Sequence, residues 1–340
     1  MRVLNTLYVT SHRARVSCRA GSLLVRDPDQ GQTRVPIEAL EAIVLLAQAQ
    51  VTTQAISLCV AKGVRLTALA RNGKVRFTVG AATSGNVHLR VAQYEAHQEP
   101  AHTAELSRQM VAGKLQNARR VVNRWVWDSD GAARFALREH GDGINRALAA
   151  LETASDADRI RGLEGDGSRR YFRALHIALA PTPFAFHVRT RRPPRDPANA
   201  LLSFTYGLVL GEVTGAIEAL GLDPQIGFLH RLRPGRPSLA LDLIEELRPS
   251  HADRFAVRLM RRREISPEHF ISAPGGACYL TDAGRRVVLN KYEDFRDEEV
   301  DHILLNRKLP RWSLPQVQAT LLARHLRGDL PAYPPFLMVP

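Results

Sequence analysis

Three short segments carry the residue types that metal-assisted chemistry needs. Glu164 stands in Arg161-Gly162-Leu163-Glu164-Gly165-Asp166-Gly167, a glycine-rich opening to a helical run. His230 closes the apolar stretch Gly227-Phe228-Leu229-His230, and a basic turn with Arg231, Arg233 and Arg236 follows it. Asp242 and Glu245 lie three apart in Leu239-Ala240-Leu241-Asp242-Leu243-Ile244-Glu245-Glu246. That spacing puts both carboxylates on one face of a helix and turns Leu241, Ile244 and Leu247 toward the core. A carboxylate pair on an apolar helix is penalised by desolvation unless a cation or donor compensates it, and a divalent metal ion would do so. One imidazole with two or three carboxylates is a mixed nitrogen and oxygen set, suited to magnesium or manganese and ill suited to structural zinc. An ion held there would polarise a phosphoryl oxygen and lower the pKa of an attacking hydroxyl or water. Arg231 and Arg233, with Arg191 and Arg192 of the loop Arg191-Arg192-Pro193-Pro194-Arg195-Asp196-Pro197, are the candidate phosphate-binding cations beside it. Each residue also has a structural reading: Glu164 as a helix-start charge, His230 as a hydrogen-bonded core histidine, the acid pair as an exposed helix face, the arginines as solvated. Spacing alone does not bring the three segments together.

The elements that must position these residues fall into two kinds. Residues 1–85 read as strands: Leu7–Thr10, Ala14–Cys18, Ser22–Arg26 ending at Asp27-Pro28-Asp29, Arg34–Ile37, Ala42–Leu46, Val64–Leu66 and Val75–Val79, the last two flanking the turn Arg71-Asn72-Gly73-Lys74. Thr52 or Thr53 caps a short helix over 54–62 that Gly63 stops. Residues 86–104 form a linker. From 105 the apolar period becomes helical, over 105–127, 155–180, 199–220, 238–248 and 313–327. Ser313-Leu314-Pro315-Gln316 has the form of a capping box. The expected architecture is α+β: an N-terminal β-sandwich-like, dimerising domain over 1–85 and a larger all-helical catalytic domain over 105–340.

Bulk properties narrow the class. The chain has 340 residues, with 47 Lys and Arg against 34 Asp and Glu, a net charge of +13. A surplus of that size favours a polyanionic partner. Lysine supplies only five of the cations (62, 74, 114, 291 and 308), so arginine carries nearly all the charge. The strand-rich part is the denser cation, +7 from 11 basic and 4 acidic residues over 1–85. Three widely spaced cysteines, Cys18, Cys59 and Cys278, argue against a disulfide framework or a thiolate zinc site and suggest a reducing, cytoplasmic setting. No apolar run suits a signal peptide or an uninterrupted membrane span. Phosphate-binding loops, dinucleotide fingerprints and the nucleophile elbow are absent, and His251-Ala252-Asp253 and Asp301-His302 are isolated pairs.

Taken in order, the segments resemble the CRISPR-associated adaptation integrase, also called its endonuclease. The resemblance rests on Leu4–Val9, on Gly85-Asn86-Val87 with Leu89-Arg90 and Gln93-Tyr94, and on Arg161–Gly165 with Tyr171-Phe172. It continues through Asn199–Phe204 with Tyr206, Asp223-Pro224, Gly227–His230, and Arg236–Leu243 with Glu245 and Arg248-Pro249. The opening and the 85–94 stretch look most like subtype I-C. The resemblance implies a dimerising β domain and a helical domain whose metal ligands fall on Glu164, His230 and Glu245, with Asp242 assisting. It implies a homodimer that works with a small ferredoxin-like adaptation subunit on double-stranded DNA, prespacer and CRISPR repeat, using Mg2+ or Mn2+. It further implies transesterification, a 3′-hydroxyl attacking a phosphodiester. Here Gly165-Asp166-Gly167-Ser168 replaces the family's small helix formers, and each Gly costs a helix about 1 kcal/mol relative to Ala. Two other readings remain from the residues themselves: a branched-DNA nuclease of repair, and a DNA-binding scaffold without catalysis.

Overall fold

The computed structural model describes residues 5–11, 13–28, 31–45, 49–70, 75–80 and 87–339. Leu4, Asp29, Leu46, the Arg71–Lys74 turn, and Gly85 and Asn86 of the expected motifs lie outside them.

The N-terminal strands are β1 Asn5–Val9, β2 Arg15–Arg19, β3 Ser22–Asp27, β4 Gly31–Pro36, β5 Leu40–Leu45, β6 Gln50–Val51, β7 Arg65–Leu69 and β8 Val75–Val79, with helix α1 Thr53–Ala61 before β7. They form two four-stranded sheets, β4-β3-β2-β6 and β1-β5-β7-β8. Thr52 caps α1, its hydroxyl accepting from the Ala55 amide at 3.2 Å. Gly63 ends the turn at a φ of 69°, a conformation that strains any other residue. Val16, Leu23, Ile43, Leu66, Ala55 and Cys59 share one buried cluster between sheets and helix. Val44, one residue along β5 from Ile43, packs instead on the helical core together with Tyr8. The parallel strands β1, β5 and β7 are therefore covered on both faces, as parallel sheets require. Arg65 ties the two parts, donating to the Gly215 carbonyl at 2.8 Å.

The rest is mainly helical: α2 Val87–Gln98, α3 Pro100–Trp127, α4 Gly131–Glu152, α5 Ala157–Leu179, α6 Pro197–Ala219, α7 Ser238–Leu247, α8 Arg254–Arg261, α9 Asp282–Asp297 and α10 Leu314–Leu326. Two hairpins, β9 Phe270–Ala273 with β10 Ala277–Leu280 and β11 Glu299–His302 with β12 Arg307–Pro310, interrupt it, so the helical part is not all-helical. The stretch read as linker holds α2 and the first turn of α3. Among the described residues α6 is long and apolar enough to cross a membrane, yet it runs through the core with Leu201, Phe204, Val209 and Ile217 buried. The capping box at Ser313 does not form. Arg311–Ser313 is already a 3-10 turn leading into α10, and the Ser313 hydroxyl donates back to the Pro310 carbonyl at 2.8 Å.

Between α7 and α8 lies a π-helical turn, Arg248–Asp253. Pro249 has no amide hydrogen to continue an α-helical ladder, and the wider turn absorbs that loss. Ser250 steadies it, its hydroxyl donating to the Glu246 carbonyl at 2.8 Å.

Candidate metal and catalytic site

α7 is buried almost all round: Asp242, Glu245 and Glu246 are as inaccessible as Ile244 and Leu247, and Leu241 is the more exposed residue. The expected division into an apolar and a charged face does not hold, because α3, α6 and α10 pack around this helix.

Asp242 organises the segment before it. One carboxylate oxygen accepts from the Phe228 amide at 2.6 Å and the Leu229 amide at 3.0 Å. The other accepts from the His230 amide at 3.0 Å and meets His230 Nδ1 at 2.6 Å. Only glycine fits at 227, since a Cβ there would lie 2.5 Å from Asp242 Oδ2. With Nδ1–H donated to a carboxylate, Nε2 is the free acceptor, the usual carboxylate–histidine arrangement behind a metal ligand. That nitrogen points to Glu245, 3.8 Å from Oε1. Both oxygens of Asp242 are thus taken by protein donors, which makes it a positioning residue for His230.

Two elements hold the His230 loop from outside. Gln93 of α2, fully buried, donates to the Asp223 and Ile226 carbonyls at 2.8 and 2.7 Å and accepts from the Asp223 amide at 2.8 Å. Arg161 of α5 donates to the Leu229 carbonyl at 3.0 Å.

Glu164 reaches the same pocket from α5. The glycines around it do not break the helix, which runs unbroken from Ala157 to Leu179 after the Asp156 cap accepts from the Arg159 amide at 2.8 Å. Gly167 has a packing reason: a Cβ would stand 2.3 Å from Leu115 Cδ2 of α3. Ser168 donates to Glu164 Oε1 at 2.7 Å, and Asp166 pairs with Arg170 at 3.0 Å on the outer face.

A cation that spacing did not flag completes the cluster. The Lys114 ammonium of α3 bonds to Glu164 and lies 2.6 Å from Glu245 Oε2. Arg248, on the π-turn, is 2.7 Å from Glu245 Oε1. Burial opposes ionisation of Glu245, but Arg248 and Lys114 outweigh it and hold the carboxyl at about 2. Burial likewise pushes Glu164 up, and Lys114 and the Ser168 hydroxyl bring it below its ordinary value. Both acids are therefore anions at neutral pH, the state a metal ligand must have.

Among the described residues no three of His, Cys, Asp and Glu stand grouped at metal-binding distances. The donor set nevertheless fits a divalent ion: a buried carboxylate, Glu245, and a half-buried one, Glu164, converge on one positive charge, and an imidazole nitrogen of His230 faces Glu245. Lys114 stands where a cation is needed, and its flexible stem can withdraw.

Of the four candidate DNA-binding arginines, all are exposed. Arg191 lines the small cavity shared by Lys114, Ser168, Tyr206 and Arg248. Burial and the neighbouring Arg233, Arg192 and Arg248 lower the Arg236 pKa, so the two basic loops join in one positive field. Arg231 is partly neutralised by Asp158 at 2.7 Å. Asn199 folds the first of these loops onto α6, accepting from the Thr190 amide at 2.9 Å and Arg189 Nη1 at 2.8 Å. Behind the pocket Tyr206 donates to Asp253 at 2.5 Å, between the guanidiniums of Arg189 and Arg248, each 5.2 Å from its ring. Burial raises Asp253 to about 6 despite those donors. The pattern Asn199, Ser203, Tyr206 was visible in the sequence; its tie to Arg189 and Asp253 is created by folding.

A strand-rich region joined to a helical one that gathers two carboxylates and an imidazole beneath a rim of arginines is the make-up expected of a nucleic-acid enzyme. Comparison with known proteins gives the family. Residues 7–294 match the family model of CRISPR associated protein Cas1, and the chain belongs to that family. It is 40% identical over 338 residues to a CRISPR-associated endonuclease Cas1 of Moorella thermoacetica, covering 98% of both chains. The fold is shared with a casposase bound to integration product, at TM-score 0.85, 21% identity, and coverage of 97% of this chain and 93% of that one. It is also shared with part of a Cas6-RT-Cas1–Cas2 complex, at TM-score 0.82 and 19% identity over all of this chain and 36% of that one.

Proposed function

We propose that this CRISPR-associated endonuclease is a metal-dependent integrase that inserts foreign-DNA spacers into the CRISPR array. The observation that carries the reading is that Glu164 and Glu245 share the Lys114 ammonium while His230 Nε2 faces Glu245 at 3.8 Å. Glu164, His230 and Glu245 would hold Mg2+ or Mn2+. Such an ion, when bound, supplies Lewis-acid activation of a phosphodiester and of the attacking hydroxyl. Asp242 fixes the tautomer and direction of His230 and keeps the loop on the helix. Arg248 holds Glu245 ionised and oriented. Arg191, Arg192, Arg231 and Arg233 take phosphates of the double-stranded prespacer and repeat. A 3′-hydroxyl of the prespacer forms the new P–O bond, and the repeat strand leaves on its own 3′-oxygen. Water in place of that hydroxyl gives nuclease activity.

The wider setting follows the same reading. The chain would pair through its strand-rich region as a homodimer and act with a small ferredoxin-like adaptation subunit. A neighbour in fold that is part of a complex with Cas2 supports the second point. The opening residues and the α2 segment favour subtype I-C. Free cysteines at 18, 59 and 278 support a reducing cytoplasm.

The test is strand transfer of a short duplex into a supercoiled plasmid carrying the repeat, with Mg2+ or Mn2+ and the partner subunit. Joining that needs metal and disappears in Glu164→Ala, His230→Ala and Glu245→Ala, each still folded, is the expected result. Cleavage of branched DNA without joining would favour the repair nuclease, and activity untouched by all three substitutions would favour the scaffold.

A further inference from the structure

A groove of about 810 Å³ lies between the last turns of α3 and the length of α8. α3 lines it with Arg120, Arg124 and Trp127, and α8 with Arg254, Arg258 and Arg261. Both trios step by four residues and then three, which sets each along one helix face, with about 6 Å of rise per four-residue step. The other side of α8 is fixed in the core by Phe255, Ala256, Leu259 and Met260. The arginine file is therefore a consequence of how α8 must pack.

Two carboxylates in the groove absorb part of this charge. Asp128 is 3.5 Å from Arg124 and 3.1 Å from Arg261. Glu298 pairs with Arg258 and lies 3.5 Å from Arg311. Arg120 and Arg254 form no ion pair with a described residue, and Nη1 of Arg120 is buried without a hydrogen-bond partner. Burial lowers the pKa of Arg254, Glu298 offsets part of that, and Arg124 and Arg258 lower it further. Crowded, partly dehydrated guanidiniums of this kind call for an anion. Trp127 stands at the same groove with 80% of its surface exposed, whereas Trp125 beside it is buried against Tyr171, ring centres 5.6 Å apart.

We propose that this groove binds single-stranded nucleic acid, with phosphates on Arg120 and Arg254 and an unstacked base on Trp127. A strand uses both features, because guanidiniums track the backbone while an exposed aromatic ring takes a base of any sequence. An acidic peptide would leave the indole idle, and a duplex offers no free base to stack. The inference rests on the reading of the chain as a DNA enzyme. α3 carries both sites: Lys114 is in the metal pocket, and Trp127 lies about 20 Å farther along the helix axis. A strand freed near the pocket would have this file to follow.

The experiment titrates the full-length protein, without metal, into a short fluorescein-labelled oligothymidylate at several salt concentrations. Arg120→Ala with Arg254→Ala should weaken binding about tenfold and flatten the log–log salt slope by about 1.4, since each single-strand phosphate neutralised contributes roughly 0.7. Lysine at both positions should restore the slope. Trp127→Ala should weaken binding about fivefold or more and abolish quenching of indole fluorescence by the oligonucleotide. Unchanged affinity and slope in the arginine variants would overturn the proposal. So would a silent Trp127→Ala together with displacement of the oligonucleotide by polyglutamate at matched ionic strength, which would assign the groove to an acidic protein segment. Strand transfer reads Glu164, His230 and Glu245 in the presence of metal, whereas this titration reads Arg120, Arg254 and Trp127 without it. Failure of strand transfer and failure of this groove are therefore separate results.

Discussion

Glu245 and Glu246 are neighbours in sequence, equally buried, and turned to different sides of α7. On one side Glu245 faces Lys114, Arg248 and His230, and its carboxyl is held at about 2. On the other, Glu246 meets only neutral donors: the Tyr333 hydroxyl at 2.8 Å, Gln318 Nε2 at 2.9 Å and the Phe336 amide at 3.0 Å. Burial pushes it up to about 8. Desolvation acts on both; the counter-cations decide which acid is an anion at neutral pH. The pocket side is built to hold charge, while the other side latches the segment after α10, helped by Asn117, which donates to the Phe336 carbonyl at 2.8 Å.

The sharpest way to break this contrast is substitution at each acid. Glu245→Ala should lower metal-dependent strand transfer by more than about a hundredfold, as loss of a group acting on the transition state does, while Glu246→Gln should keep activity within a few-fold; plasmid joining rates measure both. Next comes Asp242→Asn. Loss of the carboxylate behind His230 should weaken metal affinity by about 10–100-fold, read by calorimetric titration with Mn2+, and equal affinity in the variant would show that His230 needs no such support.

The third effect concerns pH. An unfolded Glu titrates near 4.3. Because the folded value of Glu246 is raised to about 8, its contribution to stability is full below about 4 and declines as pH rises toward 8. Glu245 has the opposite sign: its contribution is present above about 4 and is lost as pH falls toward about 2. Urea midpoints of the parent and of Glu246→Gln between pH 5 and 9, on the order of one unit apart, should show a decline that the variant flattens. The smallest effect is at the rim. Alanine at Arg191, Arg192, Arg231 and Arg233 should reduce the duplex salt slope by up to roughly 0.9 for each phosphate no longer neutralised, least for Arg231, which Asp158 already holds. A slope unaltered by all four would remove these loops from the DNA path.

The residues of the pocket were legible because their types are rare in apolar surroundings: Glu164, His230, Asp242 and Glu245 each interrupt a hydrophobic or glycine-rich run. Lys114 was not, since one lysine within a long amphipathic helix reads as a solvated face, and its partners lie 50 and 131 positions away. The two sheets were readable from alternation and turns. α4 and α9 were missed although Leu137, Ile144 and Leu151, or Val288, Tyr292 and Phe295, sit at helical spacing. Gly141 and Gly143 in one and the density of charge in the other masked the period. The failed cap at Ser313 has a different cause: the motif describes one turn, and the 3-10 turn before it had already met the chain's needs. Asp242 and Glu245 were placed on one face correctly, yet spacing could not tell that one would orient an imidazole while the other faced the cation.

Lys114 also bears on the order in which the molecule is assembled. Small zinc modules unfold when chelated, because the metal supplies their folding energy. Here an ammonium already compensates Glu164 and Glu245 before any ion arrives. On the proposed reading, folding and metal loading would then be separate events, and a chelator should abolish strand transfer while leaving the chain folded.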